Sequence, residues 1–351
     1  MRLRIFSQVL ILVGVACLLP FGASKAHAAT IQETDQKQHC AFWLQGPIED
    51  GDFAALSGIL NRRGAIDPLD ARAGGLCLNS HGGSYDEALK ISELLYERGL
   101  ATVVEDGAEC YSACAIIFMA GTAPDRLLPQ RRLSAGGILG FHAPYFSMPD
   151  GLYSKQQVED VSQSMRRAVL ALMQLAALQT RVTGGDFLKK SLIQGMLAKG
   201  PDETLFVSNV FDAARWDIDI FDADGQFDIR SDNKRAITNI CKNFHYANLD
   251  QSIPPAARFI IQIEDYASRY SKDDFRILVR RAAHSSVVCE IYARQSNDNA
   301  ADVTFFACSF DEDSAKSFGD CREYKTSPLF GRYVPKFFAL DPQTPLKSFH
   351  R

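Results

Sequence analysis

The residues from Leu76 to His142 hold three features that acyl-transfer chemistry would need in one place. The run Leu76-Cys77-Leu78-Asn79-Ser80-His81-Gly82-Gly83-Ser84-Tyr85 alternates as a strand, enters a double glycine and passes into a helical pattern. Such a turn presents bare backbone N–H groups, because glycine has no side chain to cover them. Next, the stretch from Gly107 to Gly121 sets one serine, Ser112, at the mouth of a short, almost wholly apolar helix. Third, Gly140-Phe141-His142-Ala143-Pro144 places a lone histidine after another apolar segment. A serine hydroxyl is a poor nucleophile at neutral pH and needs a base within hydrogen-bond reach, itself oriented by a third group. Taken singly, each feature has a plainer reading: a serine before a helix is usually an N-cap, Gly-Gly a tight turn, a lone histidine a structural residue. Their order and spacing together favour chemistry.

That order resembles the Clp peptidase branch of the Clp/crotonase superfamily. The family pattern runs roughly N-S-P-G-G-S, then G-x-A-A-S-M-G-A with an apolar run ending A-G, then I-H-Q-P. Ser112 to Gly121 keeps its spacing, and Phe141-His142-Ala143-Pro144 stands where the histidine motif belongs. Two departures are His81 for the usual proline and Ala113 for the usual methionine. Exported Clp-like proteins of bacteria are more similar still, since they flank the serine as Cys-x-Ser-Ala-Cys, as Cys110 to Cys114 does here. The resemblance implies Ser112 as nucleophile, His142 as general base and acid, and Asp202 as the carboxylate fixing the imidazole tautomer. It also implies an oxyanion hole from the N–H groups of Gly83 (or Gly82) and Ala113. Asp186, Glu203 and Asp212 are alternatives for the third member, and Lys155 is the base in a less favoured serine and lysine dyad.

The elements that must position these residues alternate strand, helix, strand, helix, which argues for a mostly parallel sheet with crossover helices. Cys40-Ala41-Phe42-Trp43-Leu44 reads as a buried strand, about Phe53 to Leu60 as a short helix, and Ala101 to Val104 as a further strand. Ser84 with Glu87 forms a capping box opening a helix that Gly99 stops. Ser154 with Gln157 forms a second box, opening one long amphipathic helix whose apolar stripe runs from Val158 to Leu175. In the family the corresponding helix lies against neighbouring subunits, so a homo-oligomer is implied. A strand near Leu205, a short helix through Ala214 and a last strand near Ile218 close the domain. The fold class expected is α/β: a Clp/crotonase-like ββα superhelix over 30–221, a linker over 222–234, and a smaller disulfide-braced α+β C-terminal domain over 235–351.

In that last domain Pro254-Pro255 reads as opening a helix to Tyr270, and Ser271 with Asp274 a second helix to Ala283. Val287 to Tyr292 and Val303 to Phe310 alternate as the two strands of a hairpin. In a symmetric register Cys289 would face Cys308, leaving Cys241 for Cys321, one of three possible pairings. Cys110 and Cys114 could bond to each other, or to Cys77 and Cys40.

Met1-Arg2-Leu3-Arg4, the apolar run Ile5 to Phe21 and Ala26-His27-Ala28 read as a cleaved signal peptide over 1–28. A periplasmic or secreted protein is therefore expected, with no membrane span once the signal is removed. Cleavage lowers the basic residues from 38 to 35 against 42 acidic ones, a net charge near −7. No basic cluster exceeds a pair, so nucleic acid is excluded as a partner. Eight of the nine cysteines remain, an even count that suits disulfides in an oxidising compartment. No C-x-x-C pair exists and the histidines lack ligand spacing, so no metal is expected. Gly184-Gly185-Asp186-Phe187 is read as a chance match to a cyclase signature, and Asp222-Ala223-Asp224-Gly225 as a poor calcium loop. No phosphate loop and no G-x-S-x-G elbow occurs, and no cofactor is expected. The function implied is a serine peptidase acting on peptide or protein substrates without an ATP supply of its own. The alternative is a silent Clp-like scaffold binding peptides or a partner protein; an acyl-CoA crotonase is disfavoured by export.

Overall fold

The computed structural model describes residues 28–34, 40–63, 75–124, 128–145, 151–178, 187–200, 202–223, 234–255, 259–264, 274–281, 287–296, 299–311 and 331–349. The signal segment before residue 28, Asp186 and Cys321 lie outside them, as do the rest of the cyclase-like tetrapeptide before Phe187, most of the linker and the far half of the calcium-like loop. The first part of the chain runs β1 (Thr30–Glu33), β2 (Phe42–Gln45), α1 (Asp52–Arg63), β3 (Gly75–Asn79), α2 (Tyr85–Arg98), β4 (Ala101–Val104), β5 (Glu109–Tyr111) and α3 (Ala113–Met119). It continues β6 (Arg131–Leu133), β7 (Ile138–Phe141), α4 (Lys155–Ala176), α5 (Lys190–Leu197), β8 (Leu205–Phe206), α6 (Val210–Arg215) and β9 (Asp219–Ile220). Then come α7 (Lys234–Asn248), β10 (Phe259–Glu264), β11 (Asp274–Arg281), β12 (Val287–Ser296), β13 (Asn299–Asp311) and β14 (Gly331–Val334).

The main sheet has the order β1-β2-β3-β4-β6-β9, with β1 antiparallel and every other neighbouring pair parallel. Leu76, Cys77 and Leu78 of β3 and all of β4 are buried, as a parallel strand covered on both faces requires. Helix α2 starts on Ser84, whose hydroxyl accepts the Glu87 N–H at 3.3 Å, and ends on Gly99. The expected capping box is only half formed. Glu87 turns to α1 instead, its Oε1 accepting the Gly51 and Phe53 N–H groups at 3.0 and 2.8 Å. Burial would raise the Glu87 pKa, but Lys90 and those two N–H groups outweigh it and hold the carboxyl below its usual range. The box at Ser154 and Gln157 is complete.

A second, three-stranded sheet, β5-β7-β8, stands beside the first. Strands β5 and β7 are parallel, with Tyr111 opposite Gly140, and β8 is antiparallel to β7, with Phe206 opposite Gly140. A parallel bridge between Ser80 and Cys110 brings the end of β3 alongside. All seven residues of α3 are buried behind this sheet.

Beyond residue 234 the sequence reading needs two corrections. The helices expected over 255–270 and 271–283 are strands where described: β10 and β11 pair antiparallel from Phe259↔Arg281 to Glu264↔Arg276. Phe259-Ile260-Ile261 and Ile277-Leu278-Val279 are apolar runs rich in β-branched residues, with an aromatic in the first, that suit a pleated surface, and pairing outweighed the Pro-Pro and Ser/Asp start signals. The hairpin of β12 and β13 is present, inside a five-stranded antiparallel meander β10 to β14. Its register sets Cys289 opposite Ser309 and Glu290 opposite Cys308, one residue away from the symmetric expectation. A one-residue shift turns a side chain to the other face. Cys289 instead bonds Cys241 of α7. The other disulfides among the described residues join Cys40 to Cys77 and Cys110 to Cys114.

Three disulfides fit an oxidising compartment. Among the described residues no helix is long and apolar enough to cross a membrane. In the chain-entropy account, the ring closed by cysteines only four residues apart is worth about 2 kcal/mol, against about 4 for spans of 37 and 48 residues. Cys110–Cys114 is thus the weakest of the three as a global staple, and its effect is local.

The C-terminal residues return to the first part of the chain. The Leu346 N–H donates to the Ser208 carbonyl at 3.0 Å, and the Val210 N–H to Thr344 at 3.1 Å. Asn243 of α7 donates to the Phe338 and Leu340 carbonyls at 2.9 and 3.0 Å. One apolar cluster accordingly runs from Ala41 to Leu346 and takes in Ile237, Phe244 and Ile291.

Arg131 is wholly buried beneath that cluster. Its guanidinium donates to the Trp216 and Phe187 carbonyls at 3.1 and 2.8 Å and lies 4.6 Å over the Phe187 ring. Burial pulls its pKa down to about 10, with Asp217 opposing, so it is charged at pH 7. An Arg131→Met substitution is expected to lower the unfolding free energy by about 2–4 kcal/mol, because two carbonyls lose their donors. Guanidinium denaturation followed by circular dichroism checks the loss.

Candidate active site

Ser112 joins β5 to α3 with φ 57° and ψ −122°. A non-glycine residue at positive φ costs on the order of 1–3 kcal/mol and persists only where its surroundings hold it. The ordinary reading of Ser112 as an N-cap does not describe this geometry. Ser84 and Ser154, which do cap helices, sit in extended backbone at φ −61° and −69° with their hydroxyls on N–H groups. The Ser112 hydroxyl makes no cap bond. It is also not one of the buried orphan hydroxyls, which belong to Tyr85, Ser92, Thr122 and Tyr246.

Several contacts hold the elbow. The Ser112 N–H donates to the Gly140 carbonyl at 3.0 Å, and the Tyr111 N–H to Ser80 at 3.0 Å. The Ser80 N–H returns a bond to Glu109 at 2.7 Å. Cys110 and Cys114, each fully buried, bond across it.

The glycine turn closes on the same point. Gly82 has φ 99°, and a Cβ there would lie 2.8 Å from Ser112 Cβ, 2.9 Å from the Tyr111 carbonyl oxygen and 3.1 Å from the Ala113 nitrogen. At Gly83, φ 145°, a Cβ would stand 2.1 Å from the Ile48 carbonyl oxygen. Only glycine fits either place. The Gly82 N–H donates to Ser80 Oγ at 3.1 Å and is therefore occupied. The N–H groups of Gly83 and Ala113 make no hydrogen bond among the described residues. Of the two glycines weighed as donors, Gly83 is the one left free.

His142 follows β7 and is half-buried, its ring 5.2 Å from that of Tyr145. Nδ1 lies 2.8 Å from the Ala143 carbonyl oxygen. A carbonyl only accepts, so Nδ1 carries a proton, and in the neutral ring that leaves the lone pair on Nε2. Ser112 and His142 each follow paired strands, just past Tyr111 and Gly140, but they share no hydrogen bond. Asp202 is exposed and makes no bond or ion pair with His142 among the described residues. Of the other acids, Glu203 accepts the Gly200 N–H at 3.0 Å, and Asp212 accepts the Ser208 hydroxyl at 3.0 Å. Burial raises the Asp212 pKa against those bonds. Lys155 sits at the exposed start of α4, 3.4 Å from Glu159.

An aromatic rim beside the serine went unread in the sequence. His81 Nε2 is 2.7 Å from Glu109 Oε2, and its ring meets Tyr111 edge-on at 5.5 Å. Tyr111 meets Phe206 edge-on at 6.1 Å. Burial first, then Glu109, raises the Tyr111 pKa. In the sequence His81 stands out only as the absence of a proline, and Glu109 and Phe206 carry no signal, because strand pairing alone brings them in. Cys40, Cys77 and Glu105 also converge, but the two sulfurs are bonded to each other and leave no thiolate for a metal.

No protein-family model and no curated protein matches the chain. Gly82→Ala is expected to destabilise the fold by about 2–4 kcal/mol, since the new methyl meets Ser112 and backbone as well as adverse φ. Gly51→Ala, at φ 108° with nothing within 4 Å, isolates the backbone term and should cost about 1 kcal/mol. Parallel denaturation curves make the comparison.

Proposed function

We propose that this is an exported serine hydrolase of the Clp peptidase type that cleaves peptide bonds through an acyl-enzyme on Ser112. The observation that carries the reading is the Ser112 elbow: a backbone held at φ 57° with an uncapped hydroxyl, followed by the unpartnered N–H of Ala113 and packed against Gly82, whose neighbour Gly83 has a second unpartnered N–H. A strained strand-to-helix turn that lifts a serine away from its helix is what a nucleophile requires and an N-cap does not. The parallel-rich sheet and the strand and helix alternation support the Clp/crotonase superhelix.

In this mechanism His142 Nε2 takes the Ser112 proton as Oγ attacks the carbonyl carbon. The oxyanion forms against Gly83 and Ala113, where each donor typically contributes about 2.7–4 kcal/mol of transition-state stabilisation. His142 then protonates the leaving amine, and water, activated by the same imidazole, hydrolyses the ester. The bond between Ser112 and His142 closes with substrate in place, as such bonds often do. The Ala143 carbonyl fixes the imidazole tautomer, which leaves Asp202 a peripheral part. No cofactor enters. The exposed side chains of Val158, Leu170 and Met173 along α4 support a homo-oligomer.

Labelling of the mature protein with a fluorophosphonate tests the reading. Wild type should label; Ser112→Ala should abolish labelling, and His142→Ala should slow it by about 10³-fold or more. Asp202→Asn should stay within about tenfold of wild type, because the tautomer is already held. An unreactive wild type would leave the peptide-binding scaffold in its place.

A further inference from the structure

We infer that the Cys110–Cys114 disulfide is a positioning device for Ser112 and that hydrolysis depends on its oxidation. This rests on the hydrolase reading above. The two sulfurs stand two residues before and two residues after the serine, joining β5 to the first turn of α3 with their Cα atoms 5.2 Å apart. In the G-x-S-x-G elbow both positions are glycine, because strand and helix approach closely on either side of the nucleophile. Here two cysteines occupy them and turn the close approach into a covalent bond.

The short ring constrains the unfolded chain least of the three disulfides, so its consequence is the backbone it encloses. Ser112 lies at the apex of that ring, at positive φ. Without the bond, the local restraints are the Ser112 and Tyr111 N–H bonds and the packing of Gly82. The chain then has an unstrained alternative that Ser84 and Ser154 display. An extended Ser112 would turn its hydroxyl onto the N–H of Ala115, two residues into α3, as an ordinary N-cap. That bond would withdraw Oγ from both the base and the carbonyl. Reduction thus yields a folded protein whose nucleophile has become a cap.

Both sulfurs are fully buried, so the bond forms as the chain folds and is afterwards shielded from thiols. The step is thiol–disulfide exchange with an external disulfide. Cys110 and Cys114 together lose two protons and two electrons to form S–S, and the external disulfide gains them as two thiols. Before export, in a reducing compartment, the hydrolase would be silent.

The test uses full-length mature protein. Refolding in limiting oxidised glutathione gives a mixture that is labelled with the fluorophosphonate while folded, then unfolded in urea with N-ethylmaleimide to mark the free thiols, and digested with trypsin. The peptide spanning 99–126 carries Cys110, Ser112 and Cys114 together, so phosphonate and maleimide are read on one molecule. Phosphonate on disulfide-bonded peptides, and at least 30-fold less on doubly alkylated ones, is the expected result. Equal phosphonate on both forms overturns the inference while leaving the hydrolase intact. No phosphonate on either form removes the hydrolase reading and this one with it. A Cys110→Ala/Cys114→Ala variant should melt near wild type yet lose kcat with little change in KM. A Cys241→Ala/Cys289→Ala variant should show the opposite, a lower melting temperature with the labelling rate of the folded fraction unchanged. Unchanged kcat in the first variant would also count against the inference.

Discussion

A serine held at positive φ between a short strand and a buried helix is the constraint around which the first two hundred residues are arranged. The strain is of order 1–3 kcal/mol, comparable to one good core contact, and it is offset locally. Strand β7 supplies the carbonyl that takes the Ser112 N–H, and Ser80, the residue just past β3, supplies the carbonyl that takes the Tyr111 N–H. Helix α3 anchors the far side because all of its side chains are in the core and none can shift alone. The small sheet β5-β7-β8 exists, in this view, to bring three chain segments distant in sequence to one edge.

Much of this was legible beforehand. Apolar runs bounded by glycine gave β3 and β4, and serine with a polar partner three residues on gave the starts of α2 and α4. The features around Ser112 could be found because glycine, serine and histidine are conspicuous at such turns. What stayed hidden depends on pairing between distant segments. Strands β10 and β11 carry strong local helix-start signals and became strands because each has a neighbour to complete it. The Cys241–Cys289 bond followed from a register one residue off symmetry, which no spacing in the sequence records. The His81 and Glu109 contact arises only because the glycine turn runs beside β5.

The histidine has a partner that resemblance does not name. Pattern supplied a carboxylate for it, whereas the chain offers the carbonyl of the very next residue, a partner that no motif marks because every residue has one. A neighbouring carbonyl can fix a ring's orientation as a carboxylate does, but it carries no full charge.

The return of residues 335–349 to Ser208 and α6 has a bearing on biosynthesis. The segment after β8 gains its final hydrogen bonds from chain more than a hundred residues further on, Ser208 with Leu346, Val210 with Thr344 and Phe211 with Pro342. A nascent polypeptide therefore keeps that edge ajar until its rear portion arrives. Order of synthesis thus makes this seam among the last parts of the first two hundred residues to close.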